Sequence, residues 1–246
     1  MSAFYPEETK KLDVVSHLEE LRKRILICLA VFAAASVLAF VKGETIMIAM
    51  RRPLEGLVAE LIFIGPTEAF VSFVKIALLA GFVVSFPVIL YHAWAFLSPA
   101  VPKDARRHVA VWLVFALVFF FSGIAFSYFV AIPLALNFLI NFGREWAEAK
   151  ITLGKYISFI GALILIGGVI FEIPIVMGLL TDTGILRTKV LRKKRHYAVL
   201  AILVFAAVIT PTQDIMNMLL FAVPMIALYE AGLVISKFIE NRKRSE

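Results

Sequence analysis

Long runs of apolar residues, separated by short polar segments, dominate the sequence. A helix needs ~20 mostly apolar residues to cross the ~30 Å hydrocarbon core of a bilayer. Lipid offers no partner to backbone N–H and C=O groups, so each crossing segment is expected to be a helix. The pattern predicts an all-α integral membrane protein with six spans, at residues 25–41, 70–96, 109–132, 156–180, 197–210 and 215–236.

The fourth, fifth and sixth runs carry features that predict their shape. Pro174 cannot donate a backbone hydrogen bond, so the fourth helix is expected to kink there. The fifth run would cover only ~21 Å as a helix, which is too short for a full crossing. Residues 211–214 alone separate it from the sixth run, so the two are expected to form a tight helical hairpin.

The segments outside the spans are short, and they predict a single polytopic membrane domain over residues 1–246. Val14, Leu18, Leu21 and Ile25 recur at helical spacing, so residues 1–24 are expected to form an amphipathic segment that runs into the first span. The loop at 42–69 is expected to contain two short helices, at 46–50 and 57–64. Residues 237–246 form a polar tail.

The distribution of basic residues predicts the orientation of the chain. The N-terminus, the second loop, the fourth loop and the tail carry eighteen Lys and Arg residues, whereas the other loops carry six. Because Lys and Arg accumulate on the cytoplasmic side, both termini are expected to be cytoplasmic. Lys75 is the one basic residue inside a predicted span, the second.

Composition supports a membrane protein and argues against several other classes. Hydrophobic residues make up 61% of the chain and charged residues 17%, and the mean hydropathy is +0.92. The net charge is +7, and the basic residues lie between the apolar runs. This indicates that they orient the chain in the membrane rather than bind nucleic acid. Cys28 is the only cysteine, and the four histidines lack the spacing of metal ligands. The sequence also has no phosphate-binding loop. We therefore expect the protein to hold no metal or cofactor and not to be an enzyme.

Glu172 is the most informative polar residue, because it lies inside the fourth predicted span. It is eight residues, or ~12 Å, from the end of that span. A carboxylate at this depth is costly unless it faces protein or water, and such residues tend to be functional. With Pro174 beside it and Gly167 and Gly168 before it, it predicts a groove that receives a partner helix. A structural hydrogen bond within the bundle is the alternative.

Other polar residues leave two interpretations open. Glu20 and Arg24 are spaced to form an ion pair on an interfacial anchor, or else Glu20 binds a ligand. Asp214 is placed to cap the sixth helix. Glu230 either extends toward the membrane surface or pairs with Lys237.

Several segments, in order, resemble motifs of the TatC family. His17-Leu18-Glu19-Glu20-Leu21-Arg22-Lys23-Arg24 is similar to the family's H-L-x-E-L-R-x-R. The other similar segments are Phe96-x-x-Pro99-Ala100 with Arg106-Arg107, Phe171-Glu172-Ile173-Pro174, Thr210-Pro211-Thr212-Gln213-Asp214, and Pro224 through Tyr229-Glu230.

This resemblance implies a receptor that binds twin-arginine signal peptides of folded proteins before their export. It implies a location in a bacterial or archaeal inner membrane, in contact with membrane lipids. It also implies TatA- and TatB-type single-span partners, a hetero-oligomer with several TatC copies, and transport driven by the proton-motive force. The implied signal-peptide residues are Glu20, Glu19, Asp104, Arg22, Phe96, Pro99, Arg106 and Arg107. The implied partner-helix residues are Glu172, Pro174, Pro211, Gln213 and Asp214.

One position departs from the family pattern. Ala105 stands where the family has a loop glutamate, and the adjacent Asp104 is the expected replacement. Carboxylates suit this task because they bind guanidinium groups through paired hydrogen bonds.

A proton-coupled small-molecule transporter that uses Glu172 is the alternative function. The chain has no internal repeat, which argues against the architecture of many such transporters. An intramembrane protease would need a Ser–His or paired-Asp arrangement, which the sequence does not offer.

Overall fold

The structure is a computed structural model that describes residues 6–58, 60–97, 109–143, 148–209 and 215–245. Its α-helices, in chain order, are α1 (Pro6–Val41), α2 (Gly43–Arg51), α3 (Pro66–Leu97), α4 (Val109–Phe126), α5 (Ile132–Gly143), α6 (Leu153–Phe171), α7 (Ile173–Asp182), α8 (Thr188–Lys193), α9 (Arg195–Ile209) and α10 (Ile215–Ser245).

Five helical stretches of the described chain are long and apolar enough to cross a membrane. They are Ser16–Val41, Pro66–Leu97, Ala110–Phe142, Leu153–Asp182 and Phe221–Lys243, and Arg195–Val208 is a shorter apolar helix. The chain is therefore an all-α integral membrane protein, which confirms the predicted fold class. At ~1.5 Å per residue the 15 residues of α9 rise only ~22 Å. The hairpin tip between α9 and α10 lies outside the described residues.

The N-terminal segment and the first predicted span form one helix, α1, because nothing after Pro6 interrupts the helical pattern. The third apolar run also continues beyond its predicted end at residue 132. A π-helical turn, Ser127–Ala131, joins α4 to α5 without a break in the rod.

The predicted kink of the fourth helix is present. Helix α6 ends at Phe171, Glu172 adopts a turn conformation with φ −72° and ψ −14°, and α7 begins at Ile173. Pro174 lies in the first turn of α7, where a missing N–H leaves no intrahelical bond unmade. The Glu172 carbonyl accepts the first bond of the new helix, from Val176 N at 2.9 Å.

The glycines before this kink pack against the chain's own α4, which corrects the expectation that they face a partner helix. A Cβ on Gly167 would collide with Ser127 Oγ, and a Cβ on Gly168 would lie 2.7 Å from Phe120 Cε2. A Cβ on Gly123 would in turn collide with the Gly167 carbonyl oxygen. These small residues therefore let α4 and α6 pack backbone to backbone within the bundle.

The helices alternate in direction and define two ends of the bundle. Helix α1 packs along α3, helix α6 packs against α3 and α4, and α7 packs against α10. We call the end that holds the start of α1, the ends of α3 and α7 and the start of α4 the basic end. The opposite end, where α2 lies and where α3 and α6 begin, is the capped end.

The capped end takes its name from the segment between α1 and α3, which folds over the bundle. Tyr128 and Tyr156 donate their hydroxyls to the carbonyls of Ala49 and Met50, at 2.6 and 2.8 Å. These carbonyls belong to the last turn of α2, where few backbone donors remain; the Ala49 carbonyl also accepts the backbone N–H of Arg52. The two tyrosines thereby fix α2 on α6 and on the π-helical turn.

The predicted short helix at 57–64 is wrong. Ile62 instead forms an isolated parallel bridge with Thr152, and its backbone bonds to Ile151 O at 3.1 Å and to Leu153 N at 2.8 Å. The Glu68 carboxylate holds the same region, because it accepts hydrogen bonds from Ile64 N at 2.9 Å and Gly154 N at 2.8 Å. Pairing with a distant segment has replaced local helix formation.

Candidate functional site

A cluster of polar side chains at the basic end surrounds Glu20. Glu20 Oε1 accepts hydrogen bonds from Arg24 Nη2 at 2.5 Å and from Arg24 Nε at 3.0 Å. His17 Nδ1 lies 3.6 Å from the other carboxylate oxygen. One turn of α1 therefore already presents a carboxylate that binds a guanidinium group through two N–H groups.

Two contacts join this cluster to the end of α3. The His17 ring stacks on Phe96, with centroids 4.3 Å apart and planes 9° from parallel. Arg24 Nη1 lies 3.5 Å from His92 Nδ1. Glu20 and Phe96 are 76 positions apart in sequence, and the His17 ring places them at one site, as the predicted set of residues requires.

An apolar groove begins beside the Glu20 cluster and runs between α1 and α3. Its volume is about 500 Å³. Arg24 and His92 form its polar rim, and its apolar wall consists of Leu21, Ile25, Cys28, Leu29, Phe32, Phe82, Ile89, Ala93, Phe96 and Leu97. A site of this form suits a ligand with a cationic group followed by an apolar segment.

Glu19 and Arg22 lie on a different part of the α1 surface from the groove. With Lys23, Leu26, Ile27 and Ala30 they line a separate shallow depression. Glu19, Arg22 and Lys23 are exposed. The structure thus brings Glu20 and Phe96 together and leaves Glu19 and Arg22 beside them, facing another direction.

The other expected signal-peptide residues, Pro99, Asp104, Arg106 and Arg107, lie outside the described residues. So do Pro211, Gln213 and Asp214 of the expected partner-helix set. Their segments join described ones: residues 98–108 connect the end of α3 to the start of α4 at the basic end.

Glu172 lies at the break between α6 and α7 and is half-buried. Its Oε1 atom is buried, and within the described part of the chain it has no hydrogen-bond partner. Buried polar atoms are nearly always paired in proteins, so an orphaned carboxylate oxygen at this depth needs an explanation. Pro174, next to it, is buried.

Comparisons with known proteins agree over nearly the whole chain. The sequence model of the family TatC, described as Sec-independent protein translocase protein (TatC), matches residues 16–224. The chain belongs to the TatC family.

Individual TatC proteins match the chain end to end. The Sec-independent protein translocase protein TatC of Carboxydothermus hydrogenoformans is 34% identical over 238 residues, covering 97% of this chain and 98% of the relative. That of Escherichia coli (strain K12) is 35% identical over 242 residues, covering 97% and 93%. A crystal structure of a twin arginine translocase receptor, TatC, superposes on this chain with a TM-score of 0.81 at 33% identity, covering 91% of this chain and 99% of that one.

Membership of the TatC family decides between the two functions that the sequence left open. The chain is a multi-pass membrane protein of a protein-translocase family. This supports the translocase function over the alternative, a proton-coupled small-molecule transporter. The resemblance inferred from the motifs is confirmed.

Within this TatC-family fold, Asp182 is a charged residue that the sequence analysis missed. It is buried at the end of α7, where Trp112 Nε1 donates to its Oδ2 at 3.0 Å and Lys243 Nζ lies 3.1 Å from its Oδ1. Lys243 also donates to the Asp182 carbonyl. The only available signal was an acidic residue just past an apolar run, which usually means a solvated helix end.

The contacts of Glu230 correct another expectation. Its Oε1 lies 2.7 Å from Arg195 Nε, so it pairs with the start of α9 rather than with Lys237. Its neighbour Tyr229 donates to Leu191 O at 3.0 Å. Both contacts fasten α10 to the α8–α9 segment at the basic end.

Proposed function

We propose that this chain is the signal-peptide receptor of a twin-arginine translocase. In this proposal the chain crosses a bacterial or archaeal cytoplasmic membrane six times. The basic end and both termini face the cytoplasm, as the bias of Lys and Arg predicts. The relatives named as Sec-independent protein translocase proteins, and the solved receptor to which the chain is similar, support it.

The Glu20 cluster is the observation that carries the proposal. Glu20 accepts both N–H groups of the Arg24 fork, so its carboxylate has the position and exposure that a second guanidinium would need. A signal-peptide arginine would replace Arg24 on Glu20 or share the carboxylate with it. Asp104 lies on the segment that follows the end of α3, close enough in the chain to supply the second carboxylate.

The groove between α1 and α3 extends the site in a direction that suits the same ligand. It starts at Arg24 and His92 and is lined otherwise by apolar side chains. Apolar residues that follow the two arginines of a signal peptide would bury their surface there, which adds affinity without further charge.

Binding of a synthetic twin-arginine signal peptide to the detergent-extracted complex tests this proposal. Glu20→Gln should weaken binding several-fold, and Glu20→Gln/Asp104→Asn should weaken it further. Glu55→Gln removes the same charge from an exposed position at the capped end, and it should leave binding unchanged. A peptide with both arginines replaced by lysine should bind poorly to the unaltered chain, because lysine cannot form the fork.

Unchanged binding in the Glu20→Gln/Asp104→Asn variant would refute this site. Photo-crosslinks of the peptide that fall on α9 or α10 rather than on α1 and α3 would refute it as well.

Glu172 supports the second part of the proposal, which is docking of TatA- and TatB-type helices during export driven by the proton-motive force. Its buried Oε1 atom lacks a hydrogen-bond partner among the described residues, and a polar group on a partner helix would satisfy it. Glu172→Ala should reduce co-purification of the single-span subunits, and Glu172→Gln should do so less, because an amide still forms the bond. Full assembly and export by Glu172→Ala would contradict this role.

A further inference from the structure

Lys75 is a charged residue on a surface that faces the bilayer. It is the tenth residue of α3, so it lies ~13 Å along the helix from its start at the capped end. Lys75 is exposed, and so are its apolar neighbours on the same helix, Phe70, Val71 and Leu78. An ammonium group among lipid-facing side chains is costly, and such residues usually have a partner and a function.

A short hydrogen-bonded chain holds the Lys75 ammonium in place. Lys75 Nζ donates to Ser158 Oγ at 2.8 Å, and Ser158 Oγ donates in turn to Gly154 O at 2.7 Å. The Ser158 hydroxyl has only one proton, so it accepts from Lys75 and cannot supply a countercharge. An ammonium group has three N–H donors, and within the described residues no carboxylate pairs with this one.

The surface beside Lys75 has room for a helix. Ser158 and Ala162 are exposed and lie four residues apart on α6, and both have small side chains. Small side chains at this spacing let another helix approach closely in a membrane. This surface is separate from Glu172, which lies fourteen residues, or ~21 Å, further along the same helical rod.

We propose that Lys75 and Ser158 form a docking surface for a membrane-spanning helix that carries a carboxylate in its capped-end half. The carboxylate would accept the unused N–H donors of Lys75 and neutralise its charge, while the helix packs over Ser158 and Ala162. The choice of a single-span translocase subunit as the bearer of this helix rests on the proposed function.

The small side chains beside Lys75 favour a helix over a lipid phosphate as the source of negative charge. Ser158 Oγ holds the ammonium next to the exposed surface of Ser158 and Ala162. Small residues at this spacing let another helix approach closely, whereas a phosphate gains nothing from them.

Photo-crosslinking from Ala162 tests the proposal in the complete complex, co-expressed with its single-span subunits. A photoreactive residue at this position should form an adduct with a single-span subunit. Lys75→Met should lower the yield of that adduct by about tenfold, the scale of a lost charged hydrogen bond. Lys75→Arg should largely keep it, and Lys75→Glu should regain it when the carboxylate of the partner is changed to lysine.

Lys155→Met is the matched control, because Lys155 is an exposed lysine three residues from Ser158 with no hydrogen bond in common with it. It should leave the adduct unchanged. An equal loss in both variants, an unchanged yield in Lys75→Met, or adducts only to lipid or only to a second copy of this chain would each overturn the proposal.

Size-exclusion elution and peptide binding of Lys75→Met show whether the variant is folded. If the proposed receptor function is wrong, signal-peptide binding will not depend on Glu20. That measurement is separate from the crosslink at Ala162, so failure of one proposal can be told from failure of the other. If Lys75→Met does not fold, the Lys75→Arg and charge-exchange variants still decide the outcome.

Discussion

Trp112 donates its indole N–H to the carboxylate of Asp182 across 3.0 Å, although 70 residues separate the two. Asp182 also holds Lys243 of α10, so the first turn of α4, the end of α7 and the C-terminal part of α10 meet at one buried carboxylate. This junction includes the first turn of α4, which directly follows residues 98–108 in the chain. It therefore helps to position the start of α4.

Removal of the indole donor should destabilise the bundle. Trp112→Phe removes one hydrogen-bond donor to Asp182 Oδ2, and a hydrogen bond to a charged group contributes about 1.5–3 kcal/mol. Thermal unfolding in detergent should show a lower Tm for this variant.

Trp94→Phe provides the control, because Trp94 is a buried indole in the same half of the molecule and packs against Leu113 and Leu179. It loses similar apolar area without a bond to Asp182. If both variants lower the Tm equally, the hydrogen bond contributes no stability beyond that of packing. Asp182 would then not stabilise the junction through Trp112.

Glu68 should control the order of the cap. In Glu68→Ala, the amides of Ile64 and Gly154 lose the carboxylate that accepts them at 2.9 and 2.8 Å. Both amides should then exchange with deuterium faster, because exchange reports local opening of the hydrogen bond. Exchange detected by mass spectrometry in peptides that cover the two amides checks this prediction.

Glu60→Ala removes an exposed acid from the same loop and should not alter either amide. Protection that survives at Ile64 and Gly154 in Glu68→Ala would show that the bridge between Ile62 and Thr152 holds the cap alone.

A methyl group on Gly167 should separate α4 from α6. Gly167→Ala places a Cβ against Ser127 Oγ and 3.0 Å from Gly123 O, so one helix must shift. Overpacking of this kind costs about 1–3 kcal/mol. Unfolding of the purified variant in a detergent series should show the loss, and Gly167→Ala/Ser127→Ala should recover part of it.

Gly161→Ala is the matched comparison on the same helix, because its Cβ would meet only Leu79 Cδ2 at an ordinary 3.7 Å. Its stability should match or exceed that of the unaltered chain, since alanine favours a helix over glycine. Equal stability of the Gly167→Ala and Gly161→Ala variants would contradict the close approach of α4 and α6.

The kink at Glu172 shows which local features the sequence predicts well. A proline in a helix has the same missing N–H in any fold, so Pro174 predicted a break, and the structure has one. The predicted helix at 57–64 failed for the opposite reason. Apolar residues at helical spacing describe only a local tendency, and Ile62 pairs with Thr152, ninety positions away.

The candidate site divides in the same way. The Glu20–Arg24 pair was predictable, because residues four apart on a helix lie on one face. The stack of His17 on Phe96 and the groove beside it were not, because they depend on how α1 packs against α3.

The sequence alone determined that this chain is an all-α membrane protein, where its apolar segments lie, and which motifs place it in the TatC family. These properties are local, since lipid requires each crossing segment to satisfy its own backbone. Only the tertiary structure decided that Gly167 faces α4, that Glu230 pairs with Arg195 and that Asp182 joins three helices. Contacts of this kind depend on which surfaces of distant helices meet, and bundle packing is the sum of many weak interactions that no single segment contains.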